Sequence, residues 1–432
     1  MTRRILLLAT TTGYQTRAFG DAADRLGTEI VFATDRCHML DDPWRDGAIP
    51  IRFYDEDTSV DAILEATRSR PVDGVLVVGD RPTVIAARVS DALGLAGHPP
   101  EAAAIARNKR LFRERLRESG LRAPSFVVAS LDADPRALTR SVSFPAVVKP
   151  AALSGSRGVM RVDDPAGLRD AFARVRAMLR SADVVAERDP AHQVILVEDF
   201  IRGRELAIEG IMDHGRLHVL ALFDKPDPLE GPFFEETIYI TPSAEPAGVQ
   251  DAAVAAVRQA ATTIGLRHGP VHAECRVNGD GVFVLEVAAR PIGGLCARAL
   301  RFDNHQSSIV DRQPSISLEE LLLRHALGES PDAWRRESGA SGVMMIPIPR
   351  RGIFRGVSGT DLAAAVDGVE SIEITAKIDQ RLVPLPEGAS YFGFIFARAS
   401  TPAAVERALR EAHACLEFTV DPLWQVVQSR HG

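Results

Sequence analysis

Short apolar runs alternate with amphipathic segments along the first hundred residues of the chain. The runs predict strands at 5–9, 29–33 and 74–78, and the amphipathic segments predict helices at 16–26, 60–67 and 82–93. Alternation of this kind is typical of parallel β-α-β units, so the sequence predicts an open, doubly wound parallel sheet. Such sheets bind ligands where their strands end, and here the ends read ATTTG and VGDRP. Neither contains the glycine pattern of a dinucleotide site.

The pattern changes after residue 97, where the sequence GHPP interrupts it. A basic helix at 108–118 and an α+β region follow, and that region ends in a predicted hairpin of strands 268–278 and 282–290. Residues 330–342 are rich in Ser, Gly, Arg and Pro and predict a linker. Strands at 343–349, 372–377 and 391–397 and a helix at 402–416 predict a small C-terminal α+β domain. We therefore expect three domains, at 1–107, 108–330 and 331–432.

Composition and charge narrow the class of protein. The chain has 432 residues, of which 46% are hydrophobic and 25% charged, as in ordinary globular proteins. The net charge of −7 argues against a nucleic-acid partner, which usually requires a basic excess. No apolar run approaches the roughly 18 residues of a membrane span, so we expect no membrane partner. Four widely spaced cysteines indicate neither a disulfide framework nor a zinc motif, which favours a cytoplasmic location.

The predicted hairpin brings two carboxylates together. If residues 279–281 form its turn, Glu274 lies directly opposite Glu286, and His272 and Arg290 share their face of the sheet. Like charges in that position destabilise a sheet unless a cation neutralises them, and Mg²⁺ is bound by one or two carboxylates together with phosphate oxygens. The hairpin therefore indicates a metal site. A solvated sheet face with two unrelated glutamates is the alternative.

Two further segments have features of a phosphate site. Lys149 ends an apolar strand, and the loop SGSRG at 154–158 offers backbone N–H groups that can close over a triphosphate. Lys109 lies on the basic helix, where it either joins a solvated face or points into the same site. The loop lacks the P-loop motif, and an ordinary flexible turn is the alternative.

Two strand ends complete the candidate chemistry. Glu198 and Phe200 lie where an apolar strand passes into a polar bend, a place that can hold adenine through backbone groups and a ribose through a carboxylate. Arg290 precedes the sequence PIGG, where glycines allow backbone N–H groups to approach a ligand closely. A guanidinium beside such a turn suits a carboxylate or an acyl phosphate. A glycine turn that only connects elements is the alternative.

The order of these motifs resembles that of the ATP-grasp superfamily of carboxylate–amine ligases. The motifs run from the lysine helix through VVKP, SGSRGV and VEDFIRGRE to HAE and VLEVAARPIGG. The resemblance implies an ATP-grasp domain of two lobes with ATP and Mg²⁺, or Mn²⁺, between them. It places a doubly wound domain before these lobes and a small α+β domain after them.

The resemblance also implies roles for individual residues. It assigns the ATP phosphates to Lys109 and Lys149, and it assigns Mg²⁺ to Glu274 and Glu286. Arg290 matches the arginine that steadies the acyl phosphate. The flap over the triphosphate matches Ser154, Gly155, Ser156 and Gly158, and the adenine and ribose contacts match Glu198, Phe200 and Glu205.

One departure favours a particular branch of the superfamily. Many members have asparagine two residues after the second magnesium glutamate, where this chain has Ala288. The sequences EVAAR and FEETIYITP resemble instead the L-amino-acid (dipeptide) ligases. That branch makes Lys225 a catalytic candidate and Glu236 a further metal or amine contact, and Tyr239 stands where those ligases have histidine. Substrate contacts are expected from His272, Gly293 and Gly294.

The implied reaction joins a small-molecule carboxylate to an amine. The carboxylate takes the γ-phosphoryl group of ATP to give an acyl phosphate and ADP, and the amine then displaces phosphate to form an amide. A homodimer is plausible in this family. A biotin-carboxylase-like or purine-pathway ligase is one alternative, and a non-catalytic nucleotide-binding regulatory protein is another.

Overall fold

The computed structural model describes residues 2–10, 15–35, 48–305 and 314–423. Cys37, one of the four cysteines, lies outside these ranges. No helix among the described residues is both long and apolar enough to cross a membrane.

A parallel sheet forms the N-terminal region. Its strands are β1 (Arg4–Ala9), β2 (Glu29–Thr34), β3 (Ile49–Pro50) and β4 (Gly74–Val78), in the order β3-β2-β1-β4. Helices α1 (Thr16–Leu26), α2 (Glu56–Thr67), α3 (Thr83–Ala92) and α4 (Pro100–Arg107) accompany it.

Helices cover both faces of this sheet. On one face Ile5 and Leu7 of β1 pack in the same core as Phe19 of α1. On the other face Leu6 and Leu8 pack in the core that contains residues of α2 and α3. Side chains that alternate between two apolar cores require cover on both sides. The predicted doubly wound parallel sheet is confirmed.

A four-stranded antiparallel sheet follows helix α5 (Lys109–Glu118). Asn108 caps that helix by accepting hydrogen bonds from the backbone N–H groups of Arg110 and Leu111. The elements of this region are β5 (Phe126–Ser130), α6 (Pro135–Leu138), β6 (Ala146–Pro150), β7 (Met160–Val162), α7 (Pro165–Leu179), α8 (Ala182–Val185) and β8 (Val194–Asp199). The strands form a sheet in the order β5-β8-β6-β7.

An eight-stranded sheet faces it across a cavity. Helix α9 (Ala247–Thr263) covers one side of this sheet. Its first five strands in the chain are β9 (Arg204–Asp213), β10 (Arg216–Asp224), β11 (Ile238–Thr241), β12 (Gly269–Asn278) and β13 (Gly281–Ala288).

The C-terminal part of the chain adds its strands to the same sheet. The elements of this part are β14 (Arg301–Asn304), β15 (Ile316–Ser317), α10 (Leu318–Ala326), β16 (Trp334–Arg336), β17 (Ala340–Ile346), β18 (Gly352–Ser358), α11 (Thr360–Ala364), β19 (Val369–Ile374), β20 (Arg381–Leu382), β21 (Gly393–Ala399), α12 (Pro402–Ala414) and β22 (Glu417–Asp421). β17 pairs with β11, and β21 and β19 continue outward from it, so the whole sheet has the order β13-β12-β9-β10-β11-β17-β21-β19. The three domain boundaries drawn above stay predictions.

The predicted linker at 330–342 is wrong. Trp334 is buried within β16, which pairs with β14, and β17 begins at Ala340 inside the predicted linker. The turn-forming composition of the segment concealed a buried tryptophan and a strand whose residues are all buried. Burial of that apolar surface outweighs the local preference of Ser, Gly and Pro for loops.

The predicted hairpin forms, with one change in register. Glu274 pairs with Glu286 as expected, but the predicted turn at 279–281 is wrong, because only residues 279–280 form it. A bulge after Glu274, where Cys275 pairs with Val284, compensates for the missing turn residue. The bulge turns Val284 into the core and leaves Leu285 on the cavity side, the reverse of the strict alternation that the sequence suggested. The carboxylate pair therefore keeps its predicted position, whereas the strand beyond the bulge changes face.

Candidate active site

A cavity of about 450 Å³ lies between the N-terminal parallel sheet, the four-stranded antiparallel sheet and the eight-stranded sheet. Almost every candidate residue drawn from the sequence lines it, although these residues come from five separate strands, one helix and several loops. The lining includes Lys109, Lys149, Ser154, Gly155, Ser156, Glu198, Phe200, Glu205, Glu236, His272, Glu274, Glu286, Arg290, Gly293 and Gly294. Gly158 and Lys225 are not part of the lining. Gly158 packs against Pro150 at the end of the glycine-serine loop, and Lys225 contacts the carboxylates of lining glutamates.

Lys225 is buried at the centre of an acidic cluster. Its Nζ lies 2.8 Å from Glu205 Oε1, 2.6 Å from Glu236 Oε1 and 2.7 Å from Glu274 Oε1. Burial lowers the pKa of Lys225, but these three carboxylates outweigh it and hold the pKa well above its usual value. One ammonium therefore neutralises part of a site that otherwise concentrates negative charge.

The carboxylates of this cluster differ in their pKa values. Burial and the neighbouring Glu274 raise the pKa of Glu236 to about 7, whereas Lys225 and His272 overcome burial and hold the pKa of Glu274 well below its usual value. The ligand atoms of Glu205, Glu236 and Glu274 all lie within 4.8 Å of one another. Closely spaced carboxylate oxygens are the donors that Mg²⁺ prefers, so the donor set fits a divalent cation.

Glu286 faces the same cavity from β13. Its Oε2 lies 3.2 Å from Lys109 Nζ, and that ammonium also donates to the Leu153 carbonyl at 3.0 Å. Lys109 therefore points into the cavity, which resolves the two interpretations left open for the basic helix. The Lys109 ammonium can therefore bind an anion in the cavity while it forms an ion pair with Glu286.

The basic helix α5 contributes a second, unexpected cation. Arg113 is fully buried, and its Nε donates to Glu198 Oε2 at 3.0 Å. Lys149 donates to the other oxygen of Glu198, and burial lowers the pKa of Lys149 to about 8. The sequence did not single out Arg113, which is one of many charged residues on its helix. It gave no sign that Glu198, 85 residues away, would hold this arginine.

Arg290 is held by a residue from the N-terminal sheet. Its Nε donates to Asp80 Oδ1 at 2.9 Å and its Nη2 to Asp80 Oδ2 at 3.2 Å, a two-pronged contact that fixes the plane of the guanidinium. Burial opposes the charge of Asp80, yet Arg290 lowers the pKa of that carboxyl overall. Asp80 follows β4 in the sequence VGDRP, so the strand-end rule marked its location but not its partner.

Glu209 fixes the strand end that carries the glycine turn. It is fully buried in β9 and accepts hydrogen bonds from the Ile292 backbone N–H at 3.1 Å and from the His272 ring at 3.0 Å. The Ile292 carbonyl in turn accepts from Gln15 at 2.5 Å. These contacts position Gly293 and Gly294 beside Arg290. No sequence motif marked Glu209, which lies in the mainly apolar middle of β9.

The charge of His272 makes stability depend on pH. Burial lowers its pKa, but hydrogen bonds to Glu209 and Glu274 outweigh burial and raise the pKa to about 9 from an ordinary value of 6.5. A raised pKa means that the folded state holds a proton that the unfolded state releases. The stabilisation is complete below pH 6.5 and is lost as the pH rises toward 9.

We therefore expect His272→Gln to flatten the fall in unfolding free energy between pH 6.5 and 8. The wild-type contribution over that range is up to about 2 kcal/mol. Urea denaturation at closely spaced pH values measures it. His98→Gln is the matched control, because burial lowers the pKa of His98 to about 4 and its removal acts mainly on the acidic side of pH 6.5. Parallel wild-type and His272→Gln profiles above pH 6.5 would contradict the assignment.

The loop over the cavity has the backbone of a tight glycine turn. Gly155, Ser156 and Gly158 have φ angles of 64°, 55° and 77°. A Cβ at Gly158 would lie 2.9 Å from the ring of Pro150, so that position also requires the absence of a side chain. The Gly158 N–H donates to the Pro386 carbonyl at 2.8 Å, so the loop rests on a C-terminal segment that also borders the cavity.

Comparisons with known proteins agree with this geometry. Three family models match successive parts of the chain: the ATP-grasp N-terminal domain at 20–97, the ATP-grasp domain at 142–299 and the L-amino acid ligase C-terminal domain 2 at 344–421. The chain belongs to the ATP-grasp superfamily. The fold class predicted from the sequence, an ATP-grasp fold between a doubly wound N-terminal domain and a C-terminal α+β part, is confirmed.

Individual ATP-grasp relatives cover the chain to different extents. The crystal structure of L-amino acid ligase from Bacillus licheniformis is 27% identical, covers 97% of this chain and 99% of its own, and superimposes with a TM-score of 0.80. Protein y4rH of Sinorhizobium fredii, itself uncharacterized, is 24% identical over 97% of this chain and 84% of its own length. Alanine–anticapsin ligase of Bacillus subtilis is 26% identical over 51% of this chain, and the match spans about half (49%) of that ligase.

Proposed function

We propose that this protein is an ATP-dependent carboxylate–amine ligase that uses an amino acid as at least one substrate. The observation that carries the proposal is the convergence of Lys109 and Lys149 with Glu236, Glu274 and Glu286 on one cavity. Cations for a polyphosphate and carboxylates for a divalent metal are the two requirements of a nucleotide-dependent phosphoryl transfer.

ATP and Mg²⁺ are the cofactors that fit this cavity. Glu236, Glu274 and Glu286 would hold the metal, with Glu205 next to them, and Mn²⁺ suits the same donors. When bound, the metal neutralises charge on the phosphate oxygens. Lys225 then acts as the counter-charge that keeps the acidic cluster from repelling itself.

The remaining residues act on the nucleotide. Lys109 and Lys149 neutralise its phosphates, and Glu198 holds Lys149 in position for this task. Phe200 and the strand end around Glu198 border the space for adenine and ribose. The loop of Ser154, Gly155 and Ser156 covers the triphosphate with backbone N–H groups. Gly158, which has no side chain, lets the end of this loop pack closely against Pro150.

The reaction proceeds in two steps. A carboxylate oxygen of the first substrate attacks the γ-phosphorus of ATP, which breaks the bond to the β-phosphate oxygen and gives an acyl phosphate and ADP. The amine nitrogen of the second substrate then attacks the acyl carbon, and phosphate leaves as the nitrogen loses a proton. Arg290 stabilises the oxygens of the acyl phosphate and of the tetrahedral intermediate, and no protein nucleophile is needed.

The acyl end of the site lies beside Arg290. Gly293 and Gly294 present backbone N–H groups there, and His272, positively charged at neutral pH, lies on the same side of the hairpin. Tyr239 donates a hydrogen bond to Glu274 at 3.3 Å and places its ring 4.9 Å from Lys225 Nζ. We propose that this phenol shapes the amine pocket in place of a histidine.

The C-terminal part of the chain favours the amino-acid ligase branch over the alternatives. Residues 344–421 match the L-amino acid ligase C-terminal domain, and Ala389, Tyr391 and Phe394 from this part border the cavity. A biotin-carboxylase-like or purine-pathway ligase is therefore less consistent with the chain. A non-catalytic nucleotide-binding protein does not need the complete set of lysines, glutamates and Arg290. A homodimer stays a prediction.

A substrate screen tests the proposal. We expect release of phosphate from ATP and Mg²⁺ only when a carboxylate substrate and an amine substrate are both present, in an array of amino-acid pairs. Mass spectrometry should show a product equal to the two substrates minus water. Glu286→Gln, purified and assayed in parallel, measures the phosphate that contaminating ATPases release, and this background is subtracted. Phosphate release that is independent of both partners, or nucleotide binding without turnover across the array, would contradict the ligase assignment.

A further inference from the structure

A second cluster of metal-ligating side chains lies away from the cavity. It consists of Asp213 at the end of β9, His214 in the following turn, His268 before β12 and His325 near the end of α10. None of these residues lines the cavity. Asp213 is eight residues from Glu205 on one strand, a separation of about 26 Å at roughly 3.3 Å per residue. The cluster is therefore distinct from the acidic site around Lys225.

The imidazoles converge on one carboxylate oxygen. Asp213 Oδ1 lies 3.3 Å from His325 Nε2, 3.5 Å from His268 Nδ1 and 3.8 Å from His214 Nε2. The ligand atoms of Asp213, His214 and His268 all lie within 4.8 Å of one another. In a tetrahedral zinc site with bonds of about 2.0–2.1 Å, neighbouring ligand atoms are about 3.3 Å apart. The observed separations are close to that spacing.

A buried nitrogen in the cluster has no hydrogen-bond partner among the residues that the structure describes. His268 is 7% exposed, and within those residues its Nδ1 makes no hydrogen bond although it faces Asp213. An unsatisfied buried polar atom costs about 1–3 kcal/mol, so its retention in this position calls for a ligand.

The fold holds the turn that supplies the second histidine. His214 has a φ of 47°, in the left-handed region, and the N–H of Gly215 donates to the Arg267 carbonyl at 2.7 Å. That contact fixes the β9–β10 turn against the residue that precedes His268. His268 and His325 stack with ring centroids 4.0 Å apart, which ties α10 to the same place.

We propose that Asp213, His214 and His268 form a binding site for one divalent transition-metal ion, with His325 orienting Asp213 from α10. Two imidazoles and a carboxylate suit Zn²⁺, Co²⁺ or Ni²⁺ and discriminate against Mg²⁺, which prefers oxygen donors. The ion would link the β9–β10 turn to the start of β12 and, through His325, to α10. The ion would stabilise the folded state by linking these elements and would take no part in the ligase chemistry.

Titration with Co²⁺ tests this site directly. The tag-free full-length chain, stripped of metal by a chelator and dialysed, is titrated in a large excess of Mg²⁺, which occupies the carboxylate cluster. We expect one equivalent of Co²⁺ to bind with visible d–d absorption bands, and Zn²⁺ to displace it. Binding should also raise the midpoint of thermal unfolding by several degrees.

Substitutions in the cluster identify the ligands. His214 has a side chain that is 75% exposed, so His214→Ala should fold normally and weaken Co²⁺ binding by about tenfold or more. His325→Gln should weaken it less, since that residue acts through Asp213. His218→Ala is the matched control, because His218 lies nearby on β10 but pairs with Asp332 at 3.1 Å, and it should bind Co²⁺ as wild type does.

Two results would overturn the site. One is a wild-type chain that takes up no Co²⁺ in excess Mg²⁺, and the other is a His214→Ala chain that binds Co²⁺ as tightly as the wild type does. Both readouts are independent of ligase activity, so a negative substrate screen leaves this test unaffected.

Discussion

Replacing Glu286 by glutamine should abolish ATP-dependent turnover while the protein stays folded. Glu286 lies directly opposite Glu274, and both carboxylates border the cavity together with Lys109. An amide of the same size cannot supply the negative charge that a divalent cation requires, so we expect a loss of about a hundredfold to a thousandfold in kcat. Phosphate release with the best substrate pair from the array measures this effect.

The fold should survive the substitution because Glu286 is on the cavity side of β13. The other face of that strand carries Val284 and Val287, which pack in the core and are left unchanged. Glu245→Gln is the matched control, because Glu245 forms an ion pair with Arg204 outside the cavity lining. It should retain full activity. A Glu286→Gln enzyme with wild-type turnover would contradict the metal assignment, and circular dichroism of both variants separates lost chemistry from lost structure.

Replacing Arg290 by lysine should lower kcat by about a hundredfold or more and change the affinity for ATP by less than about threefold. Lysine keeps the charge but loses the planar fork that Asp80 holds and that can bind two oxygens at once. If the guanidinium acts on the acyl phosphate and the tetrahedral intermediate, its loss appears in kcat rather than in nucleotide binding. Steady-state kinetics and ATP titration measure the two quantities separately.

A control and a second variant make the Arg290 result interpretable. Arg204→Lys alters an arginine in an ion pair outside the cavity lining and should leave both quantities unchanged. Asp80→Asn removes the carboxylate that orients Arg290 and should lower kcat by a smaller factor. A variant with weakened ATP binding and normal kcat would place Arg290 in the nucleotide site instead.

The amino-acid sequence by itself determined most of the local structure and the class of chemistry. The strand Gly74–Val78 and the helix Thr16–Leu26 have the bounds that periodicity predicted. The pairing of Glu274 with Glu286 was also predicted, although the turn is one residue shorter than predicted and the bulge after Glu274 restores the register. The predicted bounds depend on residues near one another in the chain, where spacing alone fixes which side chains share a face.

Only the tertiary structure decided which of these groups meet. Lys225 contacts glutamates that lie 11, 20 and 49 residues away, and Arg290 contacts Asp80 at a separation of 210 residues. Arg113 belongs to a highly charged helix, and only the packing of that helix against the strand of Glu198 buries it. No periodicity encodes such pairs, because each depends on the packing of separate elements and on the cost of burying a charge without a partner. The sequence therefore supplied the charged side chains, and the packing of the sheets decided which carboxylate each cation neutralises.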